Sequence, residues 1–170
     1  MLGHMTLDRA LRKHRFLAGV PEQHLATLAT PAHMVQFEED QLILLNGQRS
    51  TNFYLLLSGS VSVEARTAVY NISIQVLGPG DAFGWSSFLD HHDTLFQVRA
   101  REASTGVCFE GSLLSAACSE NPVFGLELYS RLLDLVAGRV KATESRLAQF
   151  CGSATPSERA SQSRSRHQKI

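Results

Sequence analysis

"LGPGDAFGWSSF", residues 77–88, is the stretch around which the rest of the chain can be ordered. Gly78, Gly80 and Gly84 flank a short turn, and the small hydroxyl residues Ser86 and Ser87 follow. Glycine takes positive φ without a steric cost, so such a turn either reverses the chain or lets a ligand approach the backbone. If a helix starts after Gly84, its N–H groups could face an anion. Strand-like segments stand on both sides, "YNISIQVL" (70–77) before it and "FQVRARE" (96–102) after it.

Further segments of the same character extend the pattern. "HMVQF" (33–37), "QLILL" (41–45), "NFYLLLSG" (52–59), "SVSVEA" (60–65) and "GVCFEG" (106–111) are short, rich in Val, Ile, Leu and Phe, and partly alternating. Turn signals separate them: Glu38-Glu39-Asp40, Asn46-Gly47, Ser58-Gly59 and Gly78-Pro79-Gly80-Asp81. Seven or eight closely spaced strands predict a mainly β fold, an antiparallel jelly roll of the cupin-like kind, with flanking helices.

Helical periods bracket this run. Leu7, Leu11 and Leu17 fall near one face of a helix over 6–17, with Thr6 as N-cap. A second short helix spans 19–29, with Pro21 at or near its first position and Pro31 ending it. "SLLSAACSE" forms a third. Asn121 and Pro122 open a long one, to about 150, in which Tyr129, Leu132, Val136, Val140, Thr143, Leu147 and Phe150 recur every three or four residues. Arg131, Asp134, Arg139, Lys141, Glu144 and Arg146 fall on its other faces. The division expected is an N-terminal helix (1–18), the β roll (19–121), the long helix (122–151) and a Ser- and Arg-rich disordered tail (152–170).

Bulk properties narrow the function. Hydrophobic residues make up 44% and charged residues 19% of the 170, which suits a packed core. Formal net charge is zero, so there is no bulk pull toward nucleic acid or an anionic membrane. No apolar run is long enough to span a bilayer and the N-terminus does not read as a secretory signal, so a cytoplasmic location is expected. Cys108, Cys118 and Cys151 are widely spaced without a CxxC, and read as free or buried thiols in a reducing compartment. The seven histidines are scattered, and His91-His92 is their one adjacent pair. That is not a metal-ligand pattern, and no nucleophile elbow occurs. No enzyme, metal or cofactor is expected.

In order and spacing, the parts resemble the cyclic-nucleotide-binding domain family. "FLAGVPEQHLATLA" (16–29) resembles the entry helices of bacterial catabolite-activator-type regulators. "FYLLLSGSVSV" (53–63) resembles their strand–Ser-Gly–strand hairpin, and "LGPGDAFG" (77–84) the turn into their phosphate-binding cassette. The resemblance covers about residues 14–150. It implies a regulatory module in which Gly80, Phe83, Gly84, Trp85, Ser86, Ser87, Thr94 and Leu95 occupy the cassette positions, and a C-terminal helix that dimerises.

The resemblance also shows what is missing. The family cassette reads Phe-Gly-Glu, eight residues, then Arg; the Glu accepts from the ribose and the Arg pairs with the cyclic phosphate. Laid on this chain without a gap, the Glu falls on Trp85, the Arg on Thr94 and the following small polar residue on Leu95. Arg99 and Arg101 do not replace the lost cation, because Phe96, Val98 and Ala100 share the parity of position 94 and leave the two arginines on the opposite strand face. A charge-assisted hydrogen bond contributes about 1.5–3 kcal/mol, so its loss weakens affinity by about one to two powers of ten. A backbone nest near 84–87 and the Ser86 and Ser87 hydroxyls remain.

The expected function is therefore a non-catalytic regulatory or sensor module with weak or altered ligand binding and no DNA-reading domain. Its partners would be a second copy of itself, a small-molecule ligand and an unknown protein, with neither sequence-specific DNA nor a membrane. Tyr129, Leu132 and Val136 are expected to pack on the roll, and Val140, Thr143, Leu147 and Phe150 between subunits. The alternatives are a genuine cyclic-nucleotide-binding transcriptional regulator acting through a partner, and a cupin-type metalloenzyme.

Overall fold

The computed structural model describes residues 6–89, 93, 94 and 96–152. Two four-stranded antiparallel sheets form the body. One runs β1 (Ala32–Phe37), β8 (Ser104–Glu110), β3 (Asn52–Ser58), β6 (Ala82–Phe83). The other runs β2 (Leu42–Leu44), β7 (Phe96–Ala100), β4 (Val61–Arg66), β5 (Asn71–Leu77). The expected jelly roll is present, and the two-residue β6 within "GPGDAF" is a strand that hydrophobic alternation did not reveal.

Alternation sets the faces. Across β4 and β7, Val61 pairs with Ala100, Val63 with Val98 and Ala65 with Phe96, which places one apolar row inside the roll. Ser62, Glu64, Gln97 and Arg99 take the opposite face. Inside, Phe37, Tyr54, Leu56, Phe83, Val98 and Cys108 form one buried cluster, with the Tyr54 and Phe83 rings stacked at 4.9 Å. A second cluster joins Phe53, Leu55, Val107 and Phe109 to the helices through Leu11, Leu28, Leu114, Phe124 and Leu128.

The helices follow the sequence reading with local corrections. α1 (Leu7–Lys13) starts after Thr6, whose side chain makes no capping bond. It ends before a 3-10 turn over Arg15–Leu17. α2 (Glu22–Ala29) has Pro21 at its N-cap, next to its first helical position. α3 spans Gly111–Glu120 and α4 Pro122–Phe150. Asn121 caps α4, its side chain accepting from the Phe124 N–H at 3.2 Å, which with Pro122 fixes the start of the long helix.

α4 has two faces. Phe124, Leu128, Leu132 and Arg139 are buried against the body. Leu126, Leu133, Val140 and Leu147, seven apart, are 76%, 69%, 51% and 62% exposed. The stripe read from sequence thus divides: Leu132 packs inward, whereas Tyr129 is nearly half exposed and meets Phe88 edge-on at 6.2 Å. Cys108 and Cys118 are buried free thiols and Cys151 is exposed. The tail expected to be disordered lies, from residue 153, outside the described residues.

Candidate functional site

The turn at 78–81 is built from its own residues. Asp81 accepts from the Gly78 N–H at 2.9 Å through its carboxylate, the Asp81 N–H donates to Gly78 O at 3.0 Å, and the Gly80 N–H donates to Leu56 O at 2.9 Å. Arg15 forms an ion pair with Asp81 from outside. The chain then passes through β6 to Gly84. There φ is +84°, and a Cβ would lie 2.4 Å from the carbonyl oxygen of Asn52. Both the backbone angle and the close approach to β3 require glycine.

After Gly84, Trp85–Phe88 form a single 3-10 turn. Its Ser87 N–H donates to Gly84 O at 3.0 Å and the Leu89 N–H to Ser86 O at 3.0 Å. The backbone nest expected at 84–87 is therefore partly spent on the turn itself. Trp85 stands half-buried at the start of this turn.

A cavity of about 270 Å³ opens beside this turn. Leu44, Val63, Phe83, Phe96 and Val98 supply apolar walls from the roll, and Gly84, Trp85, Ser86 and Leu89 one side. Asp93 and Thr94 approach from the loop before β7, and Arg139 enters from α4. The structure thus brings together Phe83, Gly84, Trp85, Ser86 and Thr94 from the residues singled out in sequence. The Thr94 hydroxyl donates to Phe96 O at 2.8 Å, which holds it at the start of β7.

Gly80 and Ser87 stand apart from that cavity. Gly80 lines a neighbouring groove with Arg15, Gln75, Asp81, Arg131 and Asp134. Ser87 packs under α3, where its carbonyl would lie 2.5 Å from a Cβ on Gly111, and its buried hydroxyl has no hydrogen-bond partner among the described residues. Leu95, His91 and His92 lie outside the described residues. Arg99 takes the opposite sheet face, as parity predicts, but that face is not simply solvated. Glu64 and Gln97 are buried on it, 9% and 5% exposed.

Arg139 is the site residue that the sequence reading missed. The apolar series from Tyr129 to Phe150 leaves it on one of the helix's other faces, yet it is 7% exposed. Its Nη1 donates to Gln75 Oε1 at 2.8 Å. Burial lowers its pKa to about 10, with Asp81 acting in the other direction, and it stays cationic at neutral pH. A signal was available: Phe124, Leu128, Leu132, Leu135 and Arg139 follow one another at helical spacing, so the arginine continues the inward stripe.

The model of the cyclic nucleotide-binding domain matches residues 34–121, just over half of the chain. The chain belongs to the cyclic nucleotide-binding domain family. Solved structures agree on the fold. A protein described as a cyclic nucleotide-binding protein from Geobacter metallireducens GS-15 is 24% identical, with a TM-score of 0.67 over 80% of this chain and 99% of that one. A cyclic nucleotide-binding domain from Methylobacillus flagellatus KT is 18% identical, with a TM-score of 0.71 over 83% and 80%. The regulatory subunit of a cAMP-independent protein kinase A from Trypanosoma cruzi, bound to guanosine, is 19% identical, with a TM-score of 0.65 over 88% of this chain and 51% of that one.

For this family member, the described residues contain no cluster of three or more His, Cys, Asp or Glu that could hold a metal ion. No described helix is long and apolar enough to cross a membrane. The chain is a regulatory module of the cyclic nucleotide-binding type.

Proposed function

We propose that this domain is a non-catalytic sensor module whose pocket has given up tight recognition of cyclic nucleotides for a different small ligand. One observation carries the reading: Trp85 and Thr94, at the positions of the family's ribose acceptor and phosphate cation, border one mostly apolar cavity. The cavity lies beside the turn that resembles the family's cassette and offers other chemistry. An apolar wall with few polar groups is what orients a small organic ligand, and a volume of about 270 Å³, just under the roughly 300 Å³ at which typical ligand pockets begin, suits a small one. The guanosine-bound trypanosome protein is consistent with this fold holding a ligand other than a cyclic nucleotide.

The module works as a homodimer in this account. Leu126, Leu133, Val140 and Leu147 make one heptad line, and Tyr129, Val136, Thr143 and Phe150 the interleaved one. A second copy of the same helix is the partner with a matching seam. We further propose that the described domain reads no DNA sequence itself, in keeping with the zero net charge of the full chain.

A native mass spectrum of the freshly purified protein tests the reading. Expected is a dimer, either bare or carrying a mass other than that of a cyclic nucleotide. A dimer loaded with cyclic AMP or cyclic GMP would contradict the proposal for the pocket; a monomer would contradict the proposal for the helix.

A further inference from the structure

Arg139 is a buried cation with no carboxylate in direct contact among the described residues, Asp81 acting on it only from farther off. Among the described residues, no carboxylate oxygen lies within 4.0 Å of its guanidinium, and its side chain's one hydrogen-bond partner is the neutral amide of Gln75. A guanidinium has five N–H donors in a planar fork suited to an oxyanion. One is used. The arginine faces both the cavity beside Trp85 and the adjoining groove that holds Asp81.

That arrangement has a cost. A charge taken out of water is unfavourable unless it is paired, and replacing buried ions with apolar residues is often neutral or stabilising. Helix α4 already presents Phe124, Leu128 and Leu132 to the body. A leucine or methionine at 139 would extend that stripe without an electrostatic penalty. The arginine is instead held at the cavity wall by Gln75, with donors free to meet a ligand.

We propose that Arg139 is the anion anchor of the cavity, and that the ligand joins an apolar, ring-bearing body to a single anionic group. This rests on the cavity being a ligand site. The body meets Leu44, Val63, Phe83, Trp85, Phe96 and Val98, and the anion meets the guanidinium. Asp93 also lines the cavity and is exposed, so water screens the repulsion between its charge and a bound anion. The cation comes from α4 rather than from the cassette, so the bound ligand ties the long helix to the roll.

Naphthalene-1-sulfonate and its neutral near-isostere naphthalene-1-sulfonamide are suitable probes. The chain has one tryptophan, so the indole N–H resonance of Trp85 reports on the cavity wall without competing signals. The wild-type protein is expected to bind the sulfonate roughly tenfold or more tightly than the sulfonamide, as one charge-assisted contact implies. Arg139→Met should remove that preference, weakening the sulfonate far more than the sulfonamide, and keep or raise thermal stability. Arg139→Lys, which keeps the charge but not the fork, should retain part of the preference and serves if the Met variant does not fold. Equal binding of both probes to wild type, or a preference that survives in Arg139→Met, would overturn the anchor and leave the cavity as a ligand site. If neither probe moves the indole resonance, the ligand reading itself fails, and the anchor with it.

Discussion

Arg99 Nε lies 3.6 Å from Glu64 Oε2, on the sheet face opposite Val98 and the cavity. Gln97 Nε2 donates to the same carboxylate oxygen at 2.7 Å and the Ser62 hydroxyl donates to the other at 2.6 Å. Burial pushes the Glu64 carboxyl up, but these two hydrogen bonds and the charge of Arg99 outweigh it and hold the pKa below the ordinary value. The arginine nearest the cassette in sequence is thus committed to the outer face. Arg99→Gln should change stability by less than about 1 kcal/mol, the range of partly exposed pairs, and leave probe binding unaltered. Gln97→Leu removes a donor from a buried carboxylate and should cost about 1–3 kcal/mol by urea unfolding. Because the folded pKa is depressed, the stability Glu64 contributes is present above 4.5 and is lost as pH falls through its folded value.

Gly84→Ala should be among the most damaging single-methyl additions in the roll. The new Cβ would sit 2.4 Å from a backbone oxygen at a φ of +84°. Strained backbone of this kind costs about 1–3 kcal/mol before the displacement of β3 is counted. A urea midpoint within error of wild type would show that the turn has another course.

The β roll was largely legible because its strands alternate and its turns carry Gly, Asn and Asp at their corners. Residues 52–65 read as a strand–Ser-Gly–strand hairpin, and Gly59 indeed has a φ of +79°. β6 was not legible, since two residues carry no period and Ala82–Phe83 form a strand only by pairing with Tyr54 and Leu55. The cavity was half legible. Trp85 and Thr94 come from local motif spacing, whereas Arg139 arrives from more than forty residues further along the chain. Its inward face on α4 is masked in the sequence by the more regular apolar series, 129 to 150, most of which is not buried. A helix with one side against its own core and another presenting a heptad line carries two apolar stripes, and the strict seven-residue one drew the reading away from the core-facing one.

The dimer proposal has a sharp consequence for that seam. Leu133→Glu with Val140→Glu puts like charges at two adjacent heptad positions and should give monomers by analytical ultracentrifugation, with the fold retained because both positions are exposed. Leu132→Ala, which touches the core instead, should leave the dimer but lower stability by about 2–5 kcal/mol. Wild-type protein that is monomeric at tens of micromolar would contradict the proposal.

His14 gives the fold a predictable acid sensitivity. It is 4% exposed, accepts from the Phe16 N–H at 3.2 Å through Nδ1, and its Nε2 donates to Leu56 O at 3.1 Å. Burial lowers its pKa below 6.5; the Leu56 carbonyl and Asp81 act against this, and the neighbouring Arg15 acts with it. The unfolded chain therefore takes up a proton near pH 6.5 that the folded chain resists, and stability falls as pH drops through that value. His14→Gln should lose less stability between pH 7.5 and 5.5 than wild type does, as read from urea midpoints. An equal loss in the two proteins would place the acid sensitivity elsewhere.

Calorimetric titration with cyclic AMP and cyclic GMP tests the central claim most directly. The apolar cavity bordered by Trp85 and Thr94 predicts, for both nucleotides, dissociation constants weaker than about ten micromolar, that is, a binding free energy less favourable than about −7 kcal/mol. The double substitution Trp85→Glu with Thr94→Arg should strengthen binding by restoring the acceptor and the cation on the same backbone. A wild-type constant at or below about ten micromolar for either nucleotide would contradict the account.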